Sequence, residues 1–206
     1  NDIAADGTLT CAPDGGIDHG FGFRNTQVVT GALFANTTGT STSALGYRAL
    51  YNNLIGSYNI AAVIAALYKN QSGNYNVALG HTALYSNIDG NDNVGVGRSA
   101  LGVNSSGSQN VAIGKYALGF NSSGDQNVGI GESALLVISI GSRNVAVGQG
   151  ELSTNTACNN AATVYQALYR NQTGSANTAM GYQALYSNTM GYANTAMGHQ
   201  ALYSNT

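Results

Sequence analysis

An asparagine returns every seventeen residues along this chain. Asn76, Asn93, Asn110, Asn127 and Asn144 keep that spacing, Asn25, Asn59, Asn177 and Asn194 extend the same register in both directions, and Thr42 holds the place once. The step shortens to sixteen between Asn144 and Asn160, close to Cys158, and then resumes. A fixed period overrides local secondary-structure preferences, because equivalent segments of a repeating chain stack on one another. Eleven coils result over residues 25–206, the last one incomplete, preceded by a non-repeating arm at 1–24.

With the Asn as position one of each coil, position nine is Leu every time: Leu33, Leu50, Leu67, Leu84, Leu101, Leu118, Leu135, Leu152, Leu168, Leu185 and Leu202. Position eight is Ala in all but one coil, where Glu151 stands, and position three is Ala or Gly except at Gln27. Position five is mostly Gly, position twelve is Asn except at Ile138, and position fifteen is Gly wherever the coil is complete.

Seventeen residues are too few for the paired helices of a helical solenoid, which needs about thirty or more. Two short strands and two turns fit. Val111-Ala112-Ile113 is β-branched and alternating, Ala117-Leu118 marks a second strand, and Asn, Ser and Gly clusters such as 121–124 supply the turns. The expected fold is an all-β, parallel β-solenoid of about eleven coils, forming a rod of roughly 50 Å at the usual strand spacing. Stacking then makes position nine an internal leucine spine and position one an asparagine ladder whose amides bond to the copies above and below. Glycines at positions five and fifteen are expected to supply left-handed turn conformations, which Asn also tolerates. Tyr51, Tyr68, Tyr85, Tyr169, Tyr186 and Tyr203 occupy position ten, beside the buried Leu and therefore on the outside, as a stacked aromatic strip. Positions two, three and four of the strand are all apolar or small, so both strand faces read as buried, one in the coil's own core and the other against a second copy of the chain.

Composition sharpens the function classes. Only 8% of residues are charged, far below an ordinary globular protein, while 43% are apolar, enough to bury a core built mostly of small side chains. A formal net charge of −2 provides no basic stripe for nucleic acid. Apolar runs such as 60–68 are too short to cross a bilayer, so no membrane insertion by this segment is expected. The first residue, Asn1, fits a mature chain after removal of a secretory signal and fits an excised fragment equally well.

The strings Gly107-Ser108-Gln109-Asn110-Val111-Ala112-Ile113-Gly114 and Gly141-Ser142-Arg143-Asn144-Val145-Ala146-Val147-Gly148 resemble the head repeat of trimeric autotransporter adhesins of the YadA type. Later coils, such as 177–189, look like the longer variant of bacterial surface proteins and phage tail fibres. The resemblance covers about residues 25–206 and implies a left-handed, usually trimeric β-roll that presents a binding surface for matrix or host ligands. The period departs from the adhesin repeat, and a heptad stalk, a membrane anchor and a chaperone domain are not found in these residues.

The arm carries Asp2, Asp6, Asp14 and Asp18 against Arg24, a charge of −3, while the coils sum to +1. An open solenoid end exposes unpaired backbone, which leads to an expectation of head-to-tail stacking with the arm clamped on a neighbour. Cys11 in the arm and Cys158 in the shortened coil permit one disulfide, within or between chains, or are two unrelated thiols.

Catalytic chemistry is not expected. His19, His81 and His199 are scattered, the segment 14–19 lacks the spacing of a calcium loop, and Glu132 and Glu151 read as turn or surface carboxylates rather than a pair. No cofactor or metal is expected, and no phosphate loop or nucleophile elbow occurs. Asn36, Asn70, Asn104, Asn121 and Asn171 fit the glycosylation acceptor pattern, although an Asn-Ser/Thr turn accounts for each. The expected role is a structural subunit of an extracellular or cell-surface filament whose partner is another copy of itself. The alternative is an adhesin head or phage receptor-binding fibre module, on a virion tail fibre in the latter case, with a host or matrix surface ligand.

Overall fold

In the computed structural model the described residues are 25–205. One strand forms in each period: β1 (Thr26–Gln27), β2 (Ser43–Leu45), β3 (Ile60–Ala62), β4 (Val77–Leu79), β5 (Val94–Val96), β6 (Val111–Ile113), β7 (Val128–Ile130), β8 (Val145–Val147), β9 (Ala161–Thr163), β10 (Thr178–Met180) and β11 (Thr195–Met197). They make a single parallel sheet in chain order, and each strand pairs with its counterpart one repeat on, Val94 with Val111 and Val111 with Val128. The chain is a β-solenoid, one rung per period.

The interior is narrow. Position three of each strand, Ala or Gly, points inward and is fully buried from Ala44 to Ala179, and it meets the Ala of position eight and the Leu of position nine from the opposite wall. Leucines 50 to 185 of the spine are wholly buried, whereas Leu202 is half-exposed because no coil among the described residues lies beyond it. The small inward residues let the two walls approach until one leucine per coil fills the gap between them.

The second wall is not a strand, which corrects the expectation of two strands per coil. Leu118 has φ 50° and Tyr116 φ 58°, and the equivalent leucines from Leu33 to Leu202 all lie between 47° and 52°. These are left-handed conformations, far from the extended region. The wall consists of tight turns: Ala117 N–H donates to Gly114 O, and Asn121 N–H donates to Leu118 O. Coil-to-coil bonds persist along it, Leu101 N–H to Ala117 O at 3.0 Å and Val103 N–H to Gly119 O at 3.1 Å. A non-glycine residue in this region costs roughly 1–2 kcal/mol. Here the inter-coil bonds and the spine packing over-determine the geometry, and the reward is a leucine side chain aimed straight at the sheet.

Glycine placement meets the expectation at position five and departs from it at position fifteen. Gly114 at position five has φ 130°, a conformation closed to side-chain-bearing residues. Position fifteen is glycine for another reason: Gly107 has no left-handed backbone, but a Cβ there would fall on Gly124 O and on the Asn104 side chain. The sixteen-residue coil loses its residue from the turn after Asn155. Ala157 takes the place of the position-fifteen glycine, its carbonyl accepting from Asn144 Nδ2 at 2.9 Å, and Asn159 (φ 61°) takes the left-handed place that Arg143 (φ 58°) fills one coil earlier.

Candidate interaction surfaces

Two asparagine ladders, not one, run along the edge of the sheet. At position one, Asn110 N–H donates to Asn93 Oδ1 at 3.0 Å, Asn110 Nδ2 donates to Gly124 O at 2.8 Å, and the pattern repeats through Asn59, Asn76, Asn93, Asn127, Asn144, Asn160, Asn177 and Asn194. Thr42 keeps the chain of bonds intact by accepting from Asn59 N–H and donating its own N–H to Asn25 Oδ1. At position twelve, Asn104 Nδ2 donates to Asn87 Oδ1 and to Gly107 O, both at 2.8 Å. Position-fifteen carbonyls such as Gly107 O and Gly124 O therefore receive two side-chain amides, whereas Gly56 O and Gly141 O receive one, because Thr42 and Ile138 replace the second Asn. Asn70, Asn104, Asn121 and Asn171, four of the glycosylation acceptor candidates, are fully buried in this second ladder. Their amides are committed inside the fold, which removes them as acceptors in the folded chain.

The outer face of the sheet is the reverse of an ordinary one. Positions two and four carry the large side chains of each strand and point to solvent: Leu45, Ile60, Leu79, Ile113, Ile130, Val147 and Met180 are each at least a third exposed. Two unbroken ranks of Val, Ile and Leu thus line β4 to β8, with Ser43, Ala62, Ala161 and Thr163 interrupting them on either side, a strip of a few hundred Å2 at the usual strand spacing and about the size that marks an interaction site on a soluble protein. In the single chain this face is open. Along one border, position six adds Tyr47, Ile64, Tyr165 and Tyr182 toward the two ends and polar or charged residues, His81 to Gln149, beside β4 to β8.

Aromatic rings stack along other columns. Phe34, Tyr51, Tyr68 and Tyr85 form one stack with centroids 4.9, 5.3 and 5.1 Å apart, and Tyr169, Tyr186 and Tyr203 form another at 5.2 and 5.0 Å. The rings are half-buried by one another rather than fully exposed. Phe34 belongs to the first stack, and Tyr58–Tyr75 at position seventeen and Tyr165–Tyr182–His199 at position six are further stacks. Reading columns six and seventeen down the sequence, as was done for columns nine and ten, would have revealed them.

A polar column at position sixteen was also legible in that way. Ser108 N–H donates to Asp125 Oδ1, Asp125 N–H to Ser142 Oγ, and Ser142 N–H to Cys158 Sγ at 3.3 Å. Cys158 is a free thiol that serves as the sulfur rung of this column; Cys11 and the segment 14–19 lie outside the described residues.

The carboxylates separate. Glu132 is half-exposed and paired with Lys115 of the adjacent coil at 2.8 Å, an ion pair of small energetic weight at the surface. Glu151, expected at a turn or surface, is fully buried in the column that otherwise holds alanine. Its carboxylate lies against Gly148 with neither oxygen in a well-aligned hydrogen bond; burial raises its carboxyl from 4.5 to about 7, and the nearby backbone N–H groups of Glu151 and Gln166 offset only part of that rise. Among the described residues no three His, Cys, Asp or Glu side chains gather as a metal site, and no helix is long and apolar enough to cross a membrane. His81 and His199 are exposed.

No family model, no curated protein and no solved structure matches this chain.

Proposed function

We propose that the chain is a structural subunit of an extracellular, self-assembling filament or fibre. The observation that carries this reading is the inverted strand: alanine or glycine inside, Val, Ile or Leu outside, on every rung from β4 to β8. Leaving about a dozen large apolar side chains in water on a flat parallel sheet is unfavourable, and the same face of a second copy, repeating at the same rise, matches it rung for rung. Lateral packing of copies through this face builds the body of the fibre. Head-to-tail stacking, in which one solenoid continues the strand and asparagine ladders of another, extends the fibre lengthwise.

A second reading is favoured by the ring stacks: an adhesin head or phage receptor-binding module, trimeric through the same sheet face, that presents the tyrosine columns and the Ser/Thr rim to a host or matrix ligand. It accords with the resemblance to YadA-type head repeats. Negative-stain electron microscopy of the purified chain separates the two. Long uniform filaments support the structural subunit, discrete short rods of fixed stoichiometry support the binding module, and isolated monomers at every concentration contradict both.

A further inference from the structure

The position-ten ring stack is interrupted where the backbone would accept a ring. Phe34, Tyr51, Tyr68 and Tyr85 stack at 4.9–5.3 Å, and the next two rungs of the column are Gly102 and Gly119. Neither glycine has a left-handed φ. A Cβ on Gly102 would meet only the Ser99 backbone at 3.2 Å or more and the Ser99 Cβ at 3.5 Å, with no neighbouring coil in its way. Tyrosine could occupy this rung as it does at Tyr85; glycine instead leaves the ring's space vacant.

The vacancy opens into a surface groove of about 320 Å3. Tyr85, Val103, Tyr116 and Phe120 line it together with both glycine rungs, Gly102 and Gly119. The volume is at the small end of the range for small-molecule sites, and the lining is almost wholly apolar, as such sites mostly are. The Tyr116 ring is held in place from outside the groove: Arg98 donates to its hydroxyl, and the Arg98 and Lys115 cations lie 5.1 and 5.5 Å from the ring centroid.

We propose that this groove binds a small planar aromatic molecule of the phenol class, which lies over Gly102 as the absent rung of the column and stacks on Tyr85. The occupant is a flat ring because the site is bounded by a ring face at the stack spacing. A ring in that plane continues the offset-stacked geometry of the three contacts below it, whereas a puckered ring of equal size loses the face-to-face contact. The phenol hydroxyl points along the column's solvent side, as the tyrosine hydroxyls do.

The test uses the intact chain and 4-methylphenol, the isolated tyrosine side chain. Ligand-observed NMR should show saturable binding, with upfield ring-current shifts of the ligand's aromatic protons. Gly102→Tyr fills the rung with the residue the column uses elsewhere and should weaken binding at least tenfold. Tyr85→Leu keeps bulk but removes the ring platform and should weaken it at least fivefold, so the outcome does not rest on one variant folding. Cyclohexylmethanol, similar in size but not flat, should bind at least fivefold more weakly. The proposal is overturned by non-saturable binding, by equal affinity for cyclohexylmethanol, by unchanged affinity in folded Gly102→Tyr, or by Tyr85 resonances that shift with protein concentration alone, which would place a second copy in the groove.

Discussion

Ile138 lies one repeat beyond Asn121 and leaves the Asn121 Oδ1 buried without a donor. In every other rung of that ladder from Asn53 to Asn188 the oxygen's counterpart receives an amide, as Asn87 does from Asn104 at 2.8 Å. Asn155, the next ladder residue, turns its amide to Asn144 Oδ1 at 3.2 Å instead, and the column restarts with Asn171 donating to Asn155 at 2.9 Å.

Restoring this rung should therefore be tolerated. Replacing a buried Ile by Asn ordinarily costs several kcal/mol, but in Ile138→Asn the lost burial of roughly 1.5–3 kcal/mol is offset by new bonds to Asn121 and Gly141. Its urea midpoint should shift by no more than about 1 kcal/mol equivalent, whereas Asn104→Leu, which orphans Asn87 Oδ1 and one bond to Gly107 O, should lose about 2–4 kcal/mol. Equal losses in the two variants would contradict the ladder's role.

Glu151 predicts an unusual pH profile. Its folded carboxyl is raised to about 7 from 4.5, so the folded state holds a proton that the unfolded chain has already released. Its contribution is fully present below pH 4.5 and is lost as pH rises through about 7. Stability should fall by up to about 3 kcal/mol over that interval and level off above it. Glu151→Ala installs the residue of the other coils; it should flatten the profile and raise the thermal midpoint at pH 8. A wild-type profile already flat between pH 4.5 and 7 would remove the assignment.

Backbone geometry predicts opposite signs for two small substitutions. Ala65 has φ 55°, so Ala65→Gly relieves left-handed strain and should stabilise by up to about 1 kcal/mol, against the usual cost of glycine. Gly107→Ala puts a methyl group on Gly124 O and the Asn104 side chain and should destabilise by more than about 3 kcal/mol. Thermal denaturation of both variants checks the signs.

Cys158→Ser should change stability by less than about 0.5 kcal/mol, because Ser57, Ser108 and Ser142 fill the same column with an acceptor oxygen. Gel electrophoresis with and without reductant tests the pairing with Cys11: a reductant-sensitive band that Cys158→Ser abolishes shows the bond, and an unchanged band with two titratable thiols excludes it.

The repeat could be read from Asn110 and Leu118 alone, since residues that recur at one spacing and stack in parallel must form ladders. What Leu118 does locally could not. Leucine carries no preference for a left-handed backbone, so its φ of 50° is imposed by the inter-coil bond to Ala134 O and by packing on the sheet, neither visible along the chain. Glycines 107 and 114 look alike in sequence yet serve different needs, clearance in one and conformation in the other. Glu151 was visible as an exception in the alanine column; its burial followed from the column's position, which outweighs the surface preference of the residue type. The interaction surfaces were half legible: the apolar or small residues at 111–113 marked both strand faces for burial, but only the coil geometry showed that the large residues, not the small ones, occupy the outer one.

Sedimentation velocity of the wild-type chain beside Ile113→Lys/Ile130→Lys tests most directly whether copies cover the outer face of the sheet. Both positions point away from the core, so the variant should fold with unchanged circular dichroism. The wild type should sediment as concentration-dependent oligomers or filaments and the variant as a monomer, with Ser123→Lys on the rim behaving as wild type. A wild type that stays monomeric across the concentration range, or a double-lysine variant that assembles equally well, would contradict the account.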